Sequence, residues 1–245
     1  MDRIQSLWIG PRLSAMERLC IFSFLRHGHE FHLYTYEDVQ NVPDGTMIED
    51  AGSILPRSKV FTYPDYPSIP KQAGSYAGFA DFFRHKLLLD KSGWWVDMDL
   101  ICIRPFDFPS EYVFSSGCMW PNSKKYRPNV GALKAPPGSP AFKFTWGKCQ
   151  QIDVSMLAWG DVGPHLIEDA VQEFKLQPYV QAPHVFCPVD GNDWKQVLDP
   201  AIAWNFPQDT YAIHLWNELW RREGQDKDAV YPPDCLYEQL KRKYL

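Results

Sequence analysis

Apolar and polar positions along the chain alternate in a way that predicts short strands separated by amphipathic helices. Residues 4–9, IQSLWI, read as a first strand closed by Gly10-Pro11. Leu13, Met16, Leu19 and Cys20 share one face, and Phe22, Phe24 and Leu25 continue it, so a helix is expected from Leu13 to Arg26 with Gly28 as its stop. Phe31–Tyr36 is rich in β-formers and predicts a second strand. This strand–helix–strand opening predicts a parallel sheet with crossover helices. Residues 41–70 are proline-rich and lack periodic runs, which predicts a loop with short helical turns.

Gln72–Lys91 reads as a helix ending at Gly93, followed by strands over 94–96, 100–103 and 112–114. Residues 117–128 are polar and turn-rich, and Asn129–Lys134 reads as a strand before the Pro136-Pro137-Gly138 turn. Helices are expected over 140–151 and from Pro164 to Lys175, the second with proline in its first turn. Tyr179–Phe186 and Tyr211–Leu215 read as short strands, and the charged tail as a helix from about Asp234. No internal repeat or linker interrupts the pattern, so residues 1–245 are read as one α/β domain.

The stretch Gly93–Pro105, GWWVDMDLICIRP, departs from that regularity by placing two aspartates between apolar runs. On an extended backbone Asp97 and Asp99 point to one side and Met98 to the other. Two carboxylates so placed repel each other, and a divalent cation held by oxygen ligands resolves the conflict. An isolated Asp-x-Asp is usually a solvated strand end; the apolar flanks here favour a site.

A net charge of −5 gives no electrostatic footprint for nucleic acid. Ten tryptophans suit stacking on sugars or bases, although most tryptophans are core. The six cysteines are scattered without Cys-x-x-Cys, which reads as reduced, buried thiols rather than a disulfide framework or zinc site. No apolar run approaches a membrane span and the first ten residues lack a signal-peptide core. A cytoplasmic location is therefore expected, with peripheral membrane association left open.

The run GFADFFRHKLLLDKSGWWVDMDLICIRP resembles the A-x-x-(S/A)-D-x-x-R … GG-x-Y-x-D-x-D signature of glycosyltransferases with a DXD sugar-binding region. That group includes yeast-type mannosyltransferases, α-1,4-galactosyltransferases and the clostridial glucosylating toxins. Shorter similarities lie at Trp8-Ile9-Gly10, at Trp159-Gly160-Asp161-Val162-Gly163-Pro164 and at His214-Leu215-Trp216. Trp95 replaces the usual tyrosine, and Lys91-Ser92-Gly93 replaces a double glycine.

The resemblance implies a GT-A fold, a nucleotide-binding α/β sandwich with a mostly parallel sheet and the diphosphate at its carboxyl edge. It implies a retaining, Mn²⁺- or Mg²⁺-dependent hexosyltransferase, with a UDP-sugar donor and a glycan or glycolipid acceptor in surface or capsular polysaccharide synthesis. Carried over residue by residue, Asp97 and Asp99 would hold the metal, with His214 as a third ligand, and imidazole suits Mn²⁺ better than Mg²⁺. Asp97 would also reach the nucleotide. Asp81 and Arg84, three apart on the expected helix, would bind donor-sugar hydroxyls or a phosphate oxygen; the rival is an ordinary helical ion pair. Trp8 would stack on the base, with Tyr76 nearby, and Trp216, Asn217 and Trp220 would close over the phosphates, core packing being the rival for each tryptophan. Asp161 would act on the acceptor or lie beneath the anomeric carbon, or else cap the following helix. The other six histidines have no assigned partner. A non-catalytic carbohydrate-binding module and a metal-dependent phosphodiesterase are the alternatives. The first has no need of both acid sets together, and the second usually gathers ligands for two metals.

Overall fold

The computed structural model describes residues 3–64, 72–118 and 126–245. Its centre is a six-stranded sheet built from β1 (Ile4–Trp8), β2 (Phe31–Thr35), β3 (Met47–Asp50), β4 (Gly93–Val96), β6 (Val113–Cys118) and β7 (Tyr126–Ala135). The spatial order is β3-β2-β1-β4-β7-β6. The first four strands are mutually parallel, and β7 runs antiparallel to both β4 and β6. The expected α/β class with a mostly parallel sheet is what the chain adopts. A separate antiparallel pair joins β5 (Leu100–Cys102) to β8 (Ala212–His214).

Both faces of the sheet are covered, which is why β4 is an unbroken apolar run and not an alternating one. Trp94 packs with Ile4, Phe24, Phe31 and Phe106 beneath α1 (Ala15–Arg26) and α7 (Leu236–Tyr244). Its neighbour Trp95 points the other way, toward Phe79, Phe83, Leu87 and Leu88 of α2 (Ala77–Lys91). The helices α3 (Pro140–Cys149) and α4 (Pro164–Glu173) complete that second layer. Helix α1 starts later than its periodicity suggested because Ser14 and Glu17 form a capping box, with the Glu17 carboxylate accepting from the Ser14 N–H at 2.7 Å.

Several sequence expectations are corrected. Residues 41–70 contain the strand β3, an edge strand paired on one side only and largely exposed, so no alternation marks it. Residues 65–70 of that stretch, and 119–125 of the turn-rich 117–128, lie outside the described residues. The helix expected from Gln72 starts at Ala77. The strand expected at Tyr179–Phe186 is instead a 3₁₀ turn ending at Tyr179 and a one-turn helix α5 (Pro183–Phe186). Pro178 and Pro183 lack the N–H a ladder needs and each stands in the first turn of its helix. Only Val180 retains a bridge, to Phe114. All six cysteines are free thiols, five of them buried and Cys118 partly so.

Candidate active site

Parallel β1 and β4 end side by side, so Trp8 and Asp97 emerge at the same carboxyl edge, where open α/β sheets place ligands. Asp97 to Leu100 form a turn closed by the Leu100 N–H donating to the Asp97 carbonyl at 3.1 Å. The two aspartates thus converge through a turn, not through strand alternation as their spacing suggested. The β5–β8 register pairs Leu100 with His214, and the Leu215 N–H donates to the Asp99 carbonyl at 2.9 Å. A histidine 115 residues away in sequence is delivered beside Asp99 by that ladder. Its Nε2 lies 3.2 Å from Asp99 Oδ1 and 4.0 Å from Asp97 Oδ2.

Helix α2 supplies the other half. Its Asp81 and Arg84 pair at 3.2 Å, both buried, and Arg84 reaches on to Asp97 Oδ1 at 3.1 Å. The guanidinium also donates to the Val130 carbonyl at 2.5 Å and lies 4.7 Å over the Trp95 ring, whose Nε1–H donates to Asp97 Oδ1 at 2.9 Å. Trp95 is therefore part of this network, a task an aromatic with an N–H performs well. Where the signature has a double glycine, Ser92 adopts φ of +60° and Gly93 φ of +87°. A Cβ at Gly93 would lie 3.0 Å from the Arg3 carbonyl, so the second position admits only glycine without strain.

Charge follows this geometry. Burial raises the Asp81 carboxyl to about 7, against the pull of Arg84. Burial also raises Asp97, opposed by Arg84 and reinforced by Asp99. Asp99 goes the other way: burial alone would raise it, but His214 and the Asn217 N–H, which donates to Oδ2 at 2.6 Å, hold it below the ordinary carboxylate range. His214 resists charging by burial, yet the Asp99 carboxylate lifts it well above the usual imidazole value.

Asp97, Asp99 and His214 offer ligand atoms within 4.8 Å of one another, a grouping of two oxygens and an imidazole nitrogen. Asp99 Oδ1 is buried and accepts no hydrogen bond. An orphaned carboxylate oxygen facing an imidazole fits a divalent cation, and the mixed donor set fits Mn²⁺.

Two cavities meet at this cluster. The first, about 590 Å³, is lined by Trp8, Tyr76, Arg84, Asp97, Asp99 and Lys227 among others. The second, about 650 Å³, is lined by Asp81, Arg84, Asp97, Asp99, His214 and Trp216 among others. Arg84, Asp97, Asp99, Ala77 and Glu218 belong to both and form the shared wall. Of the sequence-derived residues, Trp8 and Tyr76 fall together in the first cavity, and Asp81 and His214 in the second.

Trp216 does not join Trp8 and Tyr76. Its left-handed backbone, φ +59°, turns the ring onto His214, with centroids 4.1 Å apart, and its Nε1–H donates to the Val189 carbonyl at 2.9 Å. Trp220 is fully buried core. Asp161 lines neither cavity: it is exposed and its carboxylate accepts from the Ala158 N–H at 3.0 Å, closing a local turn. The Trp159–Pro164 segment reaches the site through Gly163, where a Cβ would lie 2.7 Å from the Asp81 carboxylate. The remaining histidines have local partners, such as Glu49 for His32 and the Val162 carbonyl for His85.

Sequence reasoning missed Glu218, Arg221, Arg222 and Lys227. Glu218 accepts from Ser75 and from both arginines, at 2.7 to 3.0 Å, on the short helix α6 (Asn217–Arg222). Lys227 lies 5.6 Å over the Trp8 ring and pairs with the buried Glu17. The Arg221-Arg222 dipeptide just after His214-Leu215-Trp216 was the available signal, since a diphosphate needs countercharges.

An acid–acid–imidazole cluster between two cavities at the carboxyl edge of the sheet is a ligand site of the kind open α/β folds build. Residues 156–244 match the family model described as the alpha 1,4-glycosyltransferase conserved region. This stretch contains Gly163-Pro164, His214 and Trp216, so the match is separate from the residues 78–105 that carry the motif resemblance, and the two agree on glycosyl transfer. No curated protein sequence matches the chain significantly. Among solved structures it is similar to the PaToxG glycosyltransferase, at 14% identity and a TM-score of 0.46, over 99% of this chain and 85% of that one. It is also similar to the apo-form glycosyltransferase GlyE of Streptococcus pneumoniae TIGR4, at 13% identity and a TM-score of 0.40. That likeness takes in 100% of this chain and 63% of GlyE.

Proposed function

We propose that the protein is a retaining, metal-dependent hexosyltransferase using a nucleotide-diphosphate sugar, with UDP as the nucleotide, to extend a surface or capsular glycan in the cytoplasm. The observation that carries this reading is the convergence of Asp97, Asp99 and His214 on the wall between two cavities. The first cavity would take the nucleoside, with Trp8 and Tyr76 against the base and ribose. The second would take the donor sugar against Asp81 and, further out, the glycan or glycolipid acceptor.

Bound at Asp97, Asp99 and His214, Mn²⁺ or Mg²⁺ would supply charge stabilisation for the leaving diphosphate. Arg84 holds Asp97 in place and neutralises Asp81, while Arg221 and Arg222 stand at the junction as countercharges to phosphate. Glu218 keeps both arginines folded toward the wall. Asp81 would hold donor hydroxyls, and its burial excludes water from that end.

Retention is best served by front-face attack, in which a phosphate oxygen of the leaving group takes the acceptor proton. Asp161, exposed and engaged with Ala158, is not offered to an anomeric carbon, and Asp81 is committed to Arg84. No described residue group beyond Asp97, Asp99 and His214 gathers three metal-binding side chains, which disfavours a two-metal phosphodiesterase.

The test is thermal stabilisation by a panel of nucleotide diphosphates with and without Mn²⁺, on the native protein and on Asp99→Ala. A ligand that binds only the folded state raises Tm. The expected result is stabilisation by UDP with Mn²⁺ that disappears in the variant. Stabilisation by another nucleotide would change the donor; none at all would leave the cluster as structure.

A further inference from the structure

The imidazole of His214 is boxed on three sides, and only one of its ring nitrogens faces the acids. Trp216 covers a face, with centroids 4.1 Å apart, and a Cβ at Gly131 would stand 3.2 Å from Cε1. Nε2 faces Asp99 Oδ1 at 3.2 Å. Nδ1 has as its partner the buried sulfur of Cys187 at 3.7 Å. That sulfur is itself held: Asn129 Nδ2–H donates to it at 3.2 Å, while Asn129 Oδ1 accepts from the Ser115 hydroxyl and the Gly131 N–H. Neither Cys187 nor Asn129 has a part in the chemistry set out above.

We propose that Cys187, fixed by Asn129, is a positioning residue that accepts the Nδ1 proton of His214 and so leaves Nε2 free for the cation. The inference rests on the metal-dependent reading of the site. An imidazole that ligates a cation is neutral and carries one proton. With the proton on Nε2, the ring donates to Asp99 Oδ1, and histidine and aspartate satisfy each other with nothing left for a metal. With the proton on Nδ1, Nε2 and Asp99 Oδ1 both present lone pairs to the same point. Which form prevails depends on whether a buried Nδ1–H finds an acceptor, since an unpaired one is costly. The thiol is a weak acceptor, but it is the polar atom placed there. Outer partners of ligating histidines act in this way generally, fixing both tautomer and ring orientation.

The experiment measures Mn²⁺ binding by electron paramagnetic resonance on the full chain, without nucleotide, for the native protein, Cys187→Ala, Cys187→Val and Cys187→Ser. Valine restores bulk without an acceptor, and serine restores an acceptor, so folding and hydrogen bonding separate. Native Tm values identify the variants that fold. The expected result is a loss of affinity of roughly tenfold to hundredfold in the alanine and valine variants, with most of it recovered by serine. The ¹⁵N spectrum of histidine-labelled protein loaded with Zn²⁺ should show the His214 proton on Nδ1 in the native and serine forms. Equal Mn²⁺ affinity in all four proteins would overturn the role of Cys187 and leave the metal site standing. A native protein that binds no Mn²⁺ would overturn the metal reading and this inference with it.

Discussion

The two cavities differ in how the chain builds them. The one floored by Trp8 and Tyr76 takes its residues from β1, the start of α2 and the 217–228 segment, and sets those rings beside the charges of Arg221, Asp226, Lys227 and Asp228. The one around Asp81 and His214 gathers α2, β7, the loops at 159–164 and 190–192, and α6, and what sets it apart is that its own polar groups include the buried Asp81 and His214. An aromatic floor tolerates a range of flat partners, whereas a charged, buried pocket demands particular hydrogen bonds. On the proposed reading, nucleotide capture and sugar selection are separable everywhere except at the shared wall. Substitutions should sort accordingly.

The wall itself should show the largest effect. Arg84 is the only cation paired with both Asp81 and Asp97 among the described residues. Arg84→Ala leaves the buried Asp81 and the half-buried Asp97 without their shared cation, a kind of loss that costs about 3–5 kcal/mol. Denaturant unfolding should report that drop, and both UDP and UDP-sugar binding should fail. Arg84→Lys should recover little, because an ammonium cannot reach Asp81, Asp97 and the Val130 carbonyl together as the guanidinium fork does. Recovery of full stability by lysine would mean the two cavities do not share an electrostatic wall.

The next effect should fall on one side only. Trp8→Ala should weaken UDP binding by roughly 1–3 kcal/mol, the range for a base stacked on an aromatic side chain. The contribution of the sugar, read as the difference between UDP-sugar and UDP affinities by calorimetry, should not change. If that difference collapses along with UDP affinity, the base does not lie on Trp8 and the cavities are not separate subsites.

How much of this was readable beforehand differs between the same two regions. Trp8 ends β1, Asp97 follows β4 and Asp99 precedes β5, and the apolar runs that form those strands are visible as patterns. Asp81 and Arg84 could be placed on one helix face by spacing alone. The pairing of His214 with Leu100, and hence with Asp99, depends on a three-residue ladder between distant segments, which no local periodicity encodes; only the motif resemblance pointed there. Cys187 and Asn129 were invisible for the same reason. Asp161 stayed open because an acid beside Gly163-Pro164 looks the same in sequence whether it serves a substrate or a turn. The direction of the Trp216 ring was not legible because it follows a left-handed backbone that tryptophan rarely adopts.

The smallest expected effect on stability comes from Asp81, and its sign is informative. Burial raises this carboxyl from the model-peptide value of 3.8 to about 7. Below 3.8 it is protonated in both folded and unfolded chains and contributes no pH dependence. Between the two values the unfolded carboxyl ionises while the folded one keeps its proton, so stability falls as pH rises, and above about 7 the cost is fully present. Asp81→Asn cannot ionise and escapes this cost. Arg84 loses a partner in exchange, so the net gain should be near ~1 kcal/mol at pH 8 and smaller at pH 5. Thermal unfolding at the two pH values checks the sign. In the same variant UDP should still bind with Mn²⁺ while the added affinity from the sugar is lost. A variant less stable at pH 8 than the native protein would show that the Arg84 pairing outweighs burial, and Asp81 would then be a structural ion pair with no claim on the donor.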